Sequence, residues 1–154
     1  MNGTDPVALE AVATRFREAI ECWAQNERPE PFQSFPRGCC GDASELLAAY
    51  LESLGFVDVF YVTGSGTRDW GTGACDWCSH AWVEVGSYIV DITASQFSNS
   101  LPHVWVTRDR TWHDEVVEDR RPAGFHGYDD RTIAMLGSCY HRLVELLSSP
   151  RKDA

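Results

Sequence analysis

The chain has no uninterrupted apolar stretch near the ~20 residues needed to cross a bilayer, which excludes a helical membrane span. It has no run of five or more basic residues, and 23 Asp and Glu against 13 Lys and Arg leave a net charge of −10. A phosphate backbone would be repelled by such a surface, so nucleic acid is not an expected partner. The start, MNGTDPVALEAVATRFREAI, places acidic residues where a secretion signal carries a basic and then an apolar segment. A cytoplasmic protein is expected, with its six cysteines reduced, and spaced thiols in that setting point to catalysis or metal binding. Internal repeats, low-complexity tracts and linkers are absent from the pattern as well.

What is present is the composition of one folded domain over residues 1–154, with 44% hydrophobic and 23% charged residues. Leu9, Val12, Phe16, Ile20 and Trp23 recur at helical spacing behind Asp5-Pro6, an N-cap followed by an N1 proline, and predict a helix over about 6–25. The segment NERPEPFQSFPRG holds three prolines and predicts an ordered loop. Leu46, Leu47, Tyr50, Leu51 and Leu54 predict a second helix over about 41–54, closed by Gly55. Phe56 to Thr63 reads as a strand, and the Gly-rich GSGTRDWGTGACDWC as a long surface loop, a candidate lid.

HAWVEV and YIVDIT are β-prone runs separated by Gly86-Ser87, a pair suited to a tight antiparallel turn. A further strand is expected at 103–107, a solvated loop at 108–121, and a last helix over about 130–147. Helix, helix, strands, helix in that order predicts an α+β fold, with a nucleophile-bearing helix packed on a small antiparallel sheet.

A thiol needs a lowered pKa to act as a nucleophile, and a helix N-terminus supplies it through unpaired N–H groups and the macrodipole. Cys40 stands at such a start. If Gly86 and Ser87 form the turn, Trp82 faces Asp91 and His80 faces Thr93. His80, Trp82 and Asp91 then share one face, with Asp91 on the diagonal from His80 and within side-chain reach. Such a carboxylate fixes the imidazole tautomer and leaves the other ring nitrogen to the thiol. Cys40, His80 and Asp91 are therefore the expected nucleophile, base and orienter. Helical phasing puts Cys40 with Leu47 and Leu51 on the inward side and turns Cys39 away, as a bystander.

The string GCCGDASELLAAYLESLG resembles the start of the transglutaminase-like core, a branch of the papain-like cysteine enzymes, in which Gly-x-Cys-x-Asp opens a Leu-rich helix ending at Gly. HAWVEV and the Asp of DIT are similar to that family's second and third motifs. The resemblance spans about 38–97 and implies a Cys40–His80–Asp91 triad, a thioester intermediate, a peptide or protein amide substrate and no cofactor or metal. It leaves open peptidase, deamidase and transglutaminase activity. The short interval from His80 to Asp91 and the second cysteine beside Cys40 depart from the family pattern.

For the oxyanion, the Cys40 backbone N–H, Gln33 and Gln96 are candidates, and Trp77 and Trp82 are candidates for a substrate groove. Two competing expectations share these residues. Cys75-x-x-Cys78 with Cys39, Cys40 and His80 could form a zinc site or, alone, a redox dithiol. A non-catalytic interaction module would instead use Trp70, Trp77, Trp82, Trp105 and Trp112 as partner surface.

Overall fold

The structure is a computed structural model and describes residues 3–125 and 127–149. Helix α1 runs Pro6–Cys22, with the Asp5 side chain accepting from the Val7 N–H and Pro6 at the first helical position. It stops before the expected residue 25 because Trp23 turns extended, and two single-turn 3₁₀ segments, Gln25–Glu27 and Glu30–Phe32, occupy the Pro-rich stretch. Helix α2 spans Cys40–Ser53 and helix α4 Asp130–Ser148, the latter capped by Asp129 accepting from the Thr132 N–H. Between them lie β1 (Val59–Asp69), β2 (Cys75–Val85), β3 (Tyr88–Asp91), β4 (Trp105–Thr107), a single-turn helix α3 (Thr111–Asp114) and β5 (Val117–Pro122).

The five strands form one antiparallel sheet in the order β4-β3-β2-β1-β5, so the α+β class follows directly. The β2–β3 turn is Gly86-Ser87, with Gly86 at φ 57° and Val85 opposite Tyr88, the register expected from sequence. Helices α1 and α2 cover one face of the sheet, and α4 packs against both of them. Their apolar sides, among them Phe16, Ile20, Leu47, Leu51, Leu136 and Leu143, close over Val83, Val85 and Val90. The opposite face carries a smaller aromatic cluster of Val62, Trp70, Trp82, Ile89 and Val116, against which Phe97 and Trp112 pack.

Two expected loops are structured instead. The Gly-rich stretch from 64 to 78 is mostly strand: β1 and β2 stay paired from Val59↔Val85 out to Asp69↔Cys75, leaving only a short tip. Gly64 is a close-approach residue, since a Cβ there would lie 2.3 Å from the Val116 carbonyl oxygen; its glycine serves contact with the neighbouring strand rather than a loop. The charged stretch 108–121 contains α3 and most of β5. β5 lies at the sheet edge with Glu118, Asp119 and Arg120 in solvent, and this wet side hides the strand period in the sequence.

Candidate active site

Because successive side chains on a strand alternate between faces, His80, Trp82 and Glu84 point to the aromatic side of β2 while Ala81, Val83 and Val85 face the helices. Asp91 closes β3 on the strand next to it. His80 Nε2 and Asp91 Oδ2 are 2.7 Å apart, and both side chains are buried. Asp91 Oδ1 accepts from the backbone N–H groups of Thr93 (3.0 Å) and Ala94 (2.9 Å), so the carboxylate is held on both oxygens.

Cys40 is the first residue of α2, where helix N–H groups have no intrahelical partner. Its half-buried thiol lies beside the His80 ring. Burial pushes the thiol up, but the hydrogen-bonding and charged imidazole, with the Ala81 backbone, outweighs it and the net shift is downward. For His80, burial favours the neutral ring, yet the Asp91 charge and hydrogen bond, joined by Cys40, raise it to about 9. Asp91 is driven well below the carboxylate range: its burial opposes ionisation, and the two imidazoles overcome it. His80 Nδ1 is buried and makes no hydrogen bond among the described residues, so it is the ring nitrogen open to the thiol.

Cys39 behaves differently from the sequence expectation. It is the deeply buried thiol, 1% exposed within the helical core, and burial pushes it up to about 12. Phasing both cysteines on one helix fails because Cys39 precedes the helix, at φ −131° and ψ 17°, so its side chain takes a direction of its own.

A second histidine, absent from the sequence reading, completes the cluster. His113 on α3 places Nε2 2.8 Å from the same Asp91 Oδ2, fully buried among the rings of Trp82, Trp105 and Trp112. The signal for it was the Asp109-x-Thr111 turn: Asp109 Oδ1 accepts from the Thr111 N–H at 3.0 Å and starts the helical turn. That turn is anchored at its N-cap, since Arg110 Nη2 reaches both oxygens of buried Glu84 at 3.0 Å. Glu84 also takes Arg120 and the Trp82 indole N–H.

The remaining candidates separate. Gln96 follows Asp91 on a 3₁₀ turn; its Oε1 accepts from the Gly38 N–H at 3.4 Å, two residues before Cys40, and its Nε2 is buried without a partner. Gln33 is exposed, and its amide donates to the Arg28 carbonyl of its own loop at 3.5 Å. Trp82 is fully buried behind His80 and offers no groove surface, whereas Trp77 is 68% exposed on the outer part of β2. Period-two alternation puts Cys75 and Cys78 on opposite faces of β2, so they suit neither a dithiol nor a shared ion. Among the described residues no group of three or more His, Cys, Asp or Glu is placed to hold a metal, and no helix is long and apolar enough to cross a membrane.

Chemically, the arrangement offers a thiol of lowered pKa, a buried ring to carry its proton, and a carboxylate that orients the ring. Comparison of the chain with protein-family models, curated proteins and solved structures gives no match in any of the three.

Proposed function

We propose that the protein is a cysteine-dependent amide hydrolase or acyltransferase, working through a thioester on Cys40 in the manner of the papain/transglutaminase-like enzymes its motifs resemble. The observation that carries this is the coupling of a helix-start thiol to a buried imidazole that a buried carboxylate grips at 2.7 Å. A core histidine with no chemical task does not need an ionised, fully coordinated partner on one side and a thiol on the other.

In this reading the Cys40 thiolate attacks the amide carbonyl carbon and a C–S bond forms. The oxyanion is met by the Cys40 N–H and by Gln96 Nε2, whose unmade hydrogen bond suits an oxygen that develops only during reaction. As the C–N bond breaks, His80 Nδ1 gives its proton to the departing amine. Water, or a second amine, then loses a proton to Nδ1 and attacks the thioester, and the C–S electron pair returns to Cys40. Asp91 stays ionised throughout. Peptide or protein amides are the proposed substrates, and no metal or cofactor enters these steps. A reducing, cytoplasmic setting belongs to the same proposal, because the nucleophile must remain a free thiol.

Brief iodoacetamide treatment near pH 6, mapped by peptide mass, tests it, with vinyl-sulfone and acyl probes read by intact mass. One adduct on Cys40, lost in Cys40→Ala and much slowed in His80→Ala, is expected. Preferential labelling of Cys39, or Cys40 labelling indifferent to His80→Ala, would mark a structural thiol and favour an interaction module.

A further inference from the structure

A cleft of about 380 Å³ opens between the segment preceding α2 and the segment following β3. Each wall is tied to the candidate site. Pro36 and Arg37 lead through Gly38 to Cys40, and Gln96 and Phe97 follow Asp91, with the Phe97 ring edge-on to His80 at 5.1 Å between centroids. The Gly38 N–H to Gln96 bond joins the two walls. An acyl group presented to Cys40 therefore has this cleft beside it.

The cleft lining holds Arg17, Arg37 and His103 and no Asp or Glu, in a chain whose net charge is −10. Arg17 is a built feature. It is only 5% exposed and its Nη1 is fixed by the Ile92 carbonyl (2.8 Å), Ser95 Oγ (3.0 Å) and the His103 carbonyl (2.7 Å). Its Nε binds Glu21 at 2.7 Å, which offsets part of the charge, but among the described residues Nη2 makes no hydrogen bond. A buried guanidinium braced on one side, with a free N–H pair on a cleft, is a preorganised anion donor. The Arg37 guanidinium, exposed on the opposite wall, makes no hydrogen bond or ion pair among the described residues.

We infer that this cleft selects acyl donors bearing a carboxylate near the attacked carbonyl, taken between Arg17 and Arg37. The inference rests on the thiol-enzyme reading and adds to it the charge of the substrate. Arg37 supplies the planar, bidentate fork, and Arg17, whose Nε and Nη1 are already engaged, adds Nη2 from the other wall. An acidic peptide segment or a chain-terminal carboxylate presents that group equally well.

The test compares two esters of equal chain length on the full-length protein: the mono-4-nitrophenyl ester of adipic acid, which carries a carboxylate, and 4-nitrophenyl hexanoate, which is neutral. Attack by the Cys40 thiolate breaks the ester C–O bond and releases 4-nitrophenolate, giving a single-turnover rate, while intact mass locates the acyl group. The expected ratio of adipate to hexanoate rates is roughly tenfold at low salt, as charge-assisted hydrogen bonds predict, and it shrinks in high salt as exposed charges are screened. Arg37→Glu should bring the ratio to about one or below, whereas Arg37→Lys, which keeps the charge without the fork, should fall between. Acylation of Cys40 with no preference for the adipate ester, or a ratio unmoved by Arg37→Glu, overturns this inference and leaves the thiol-enzyme reading standing. Failure of both esters to acylate Cys40 overturns both.

Discussion

Replacing Asp91 with Asn alters two atoms' chemistry at nearly constant shape. The Asp91 carboxylate accepts four donors: two backbone N–H groups on Oδ1 and two imidazole Nε2 groups on Oδ2. An asparagine keeping its carbonyl on the backbone pair must turn its NH₂ toward both rings. His80 Nε2 then becomes an acceptor and its proton moves to Nδ1, facing a thiol it can no longer deprotonate. The imidazole, held at about 9 in the native site, returns toward its ordinary 6.5, a loss on the order of 3 kcal/mol in thiolate–imidazolium stability. Asp91 itself pushes the Cys40 thiol slightly upward, so its removal gives back a small part of this. About a hundredfold slower alkylation of Cys40 at pH ~6 follows, with the rate profile displaced to alkaline pH. Iodoacetamide rate constants from pH 5 to 9, with circular dichroism and melting to show the fold is kept, measure it. A folded Asp91→Asn protein that alkylates at the native rate would refute the assigned role of the carboxylate.

Two further outcomes are expected. His113→Phe keeps the ring packing against Trp82, Trp105 and Trp112 but strips Asp91 of one donor, leaving a more basic carboxylate that grips the His80 proton harder. The alkaline limb of the Cys40 acylation profile should move up, and return toward its native position in His113→Gln, whose amide can donate; an unchanged pH profile would leave His113 a packing residue only. In denaturant titrations, the raised His80 contributes stability that is complete below 6.5 and lost as pH rises through about 9. The depressed Asp91 contributes stability present above 3.8 and lost as pH falls. Stability should therefore peak between about pH 4 and 6.5, and the decline toward pH 9 should flatten in His80→Gln; an unaltered slope in that variant would contradict the linkage.

The parts of the fold with a regular apolar period were legible in the sequence. Pro6, Leu9, Phe16 and Ile20 gave α1, the leucines after Cys40 gave α2, and Gly86-Ser87 set the register that joins His80 to Asp91. What escaped depends on contacts distant in sequence. Gly64 looks like a loop residue until Val116 is seen against it, and Trp82 looks like a groove residue until the second aromatic cluster closes over it. His113 lay in a polar stretch, and only the meeting of α3 with β3 shows it to be buried. Cys39 was misplaced because helical phasing does not extend to a residue with non-helical dihedrals.

The sheet ends on one side in the three-residue β4 and on the other in β5, whose VEDRRP sequence alternates no apolar face and closes on a proline. A free strand edge is a template for another chain's backbone, and short length, charge and proline are the means by which proteins deny that template. The charges that made β5 unreadable as a strand thus serve the molecule as a barrier to self-association. The strand that carries His80, β2, sits between two neighbours in the middle of the sheet, out of reach of any chain that might zip onto either border.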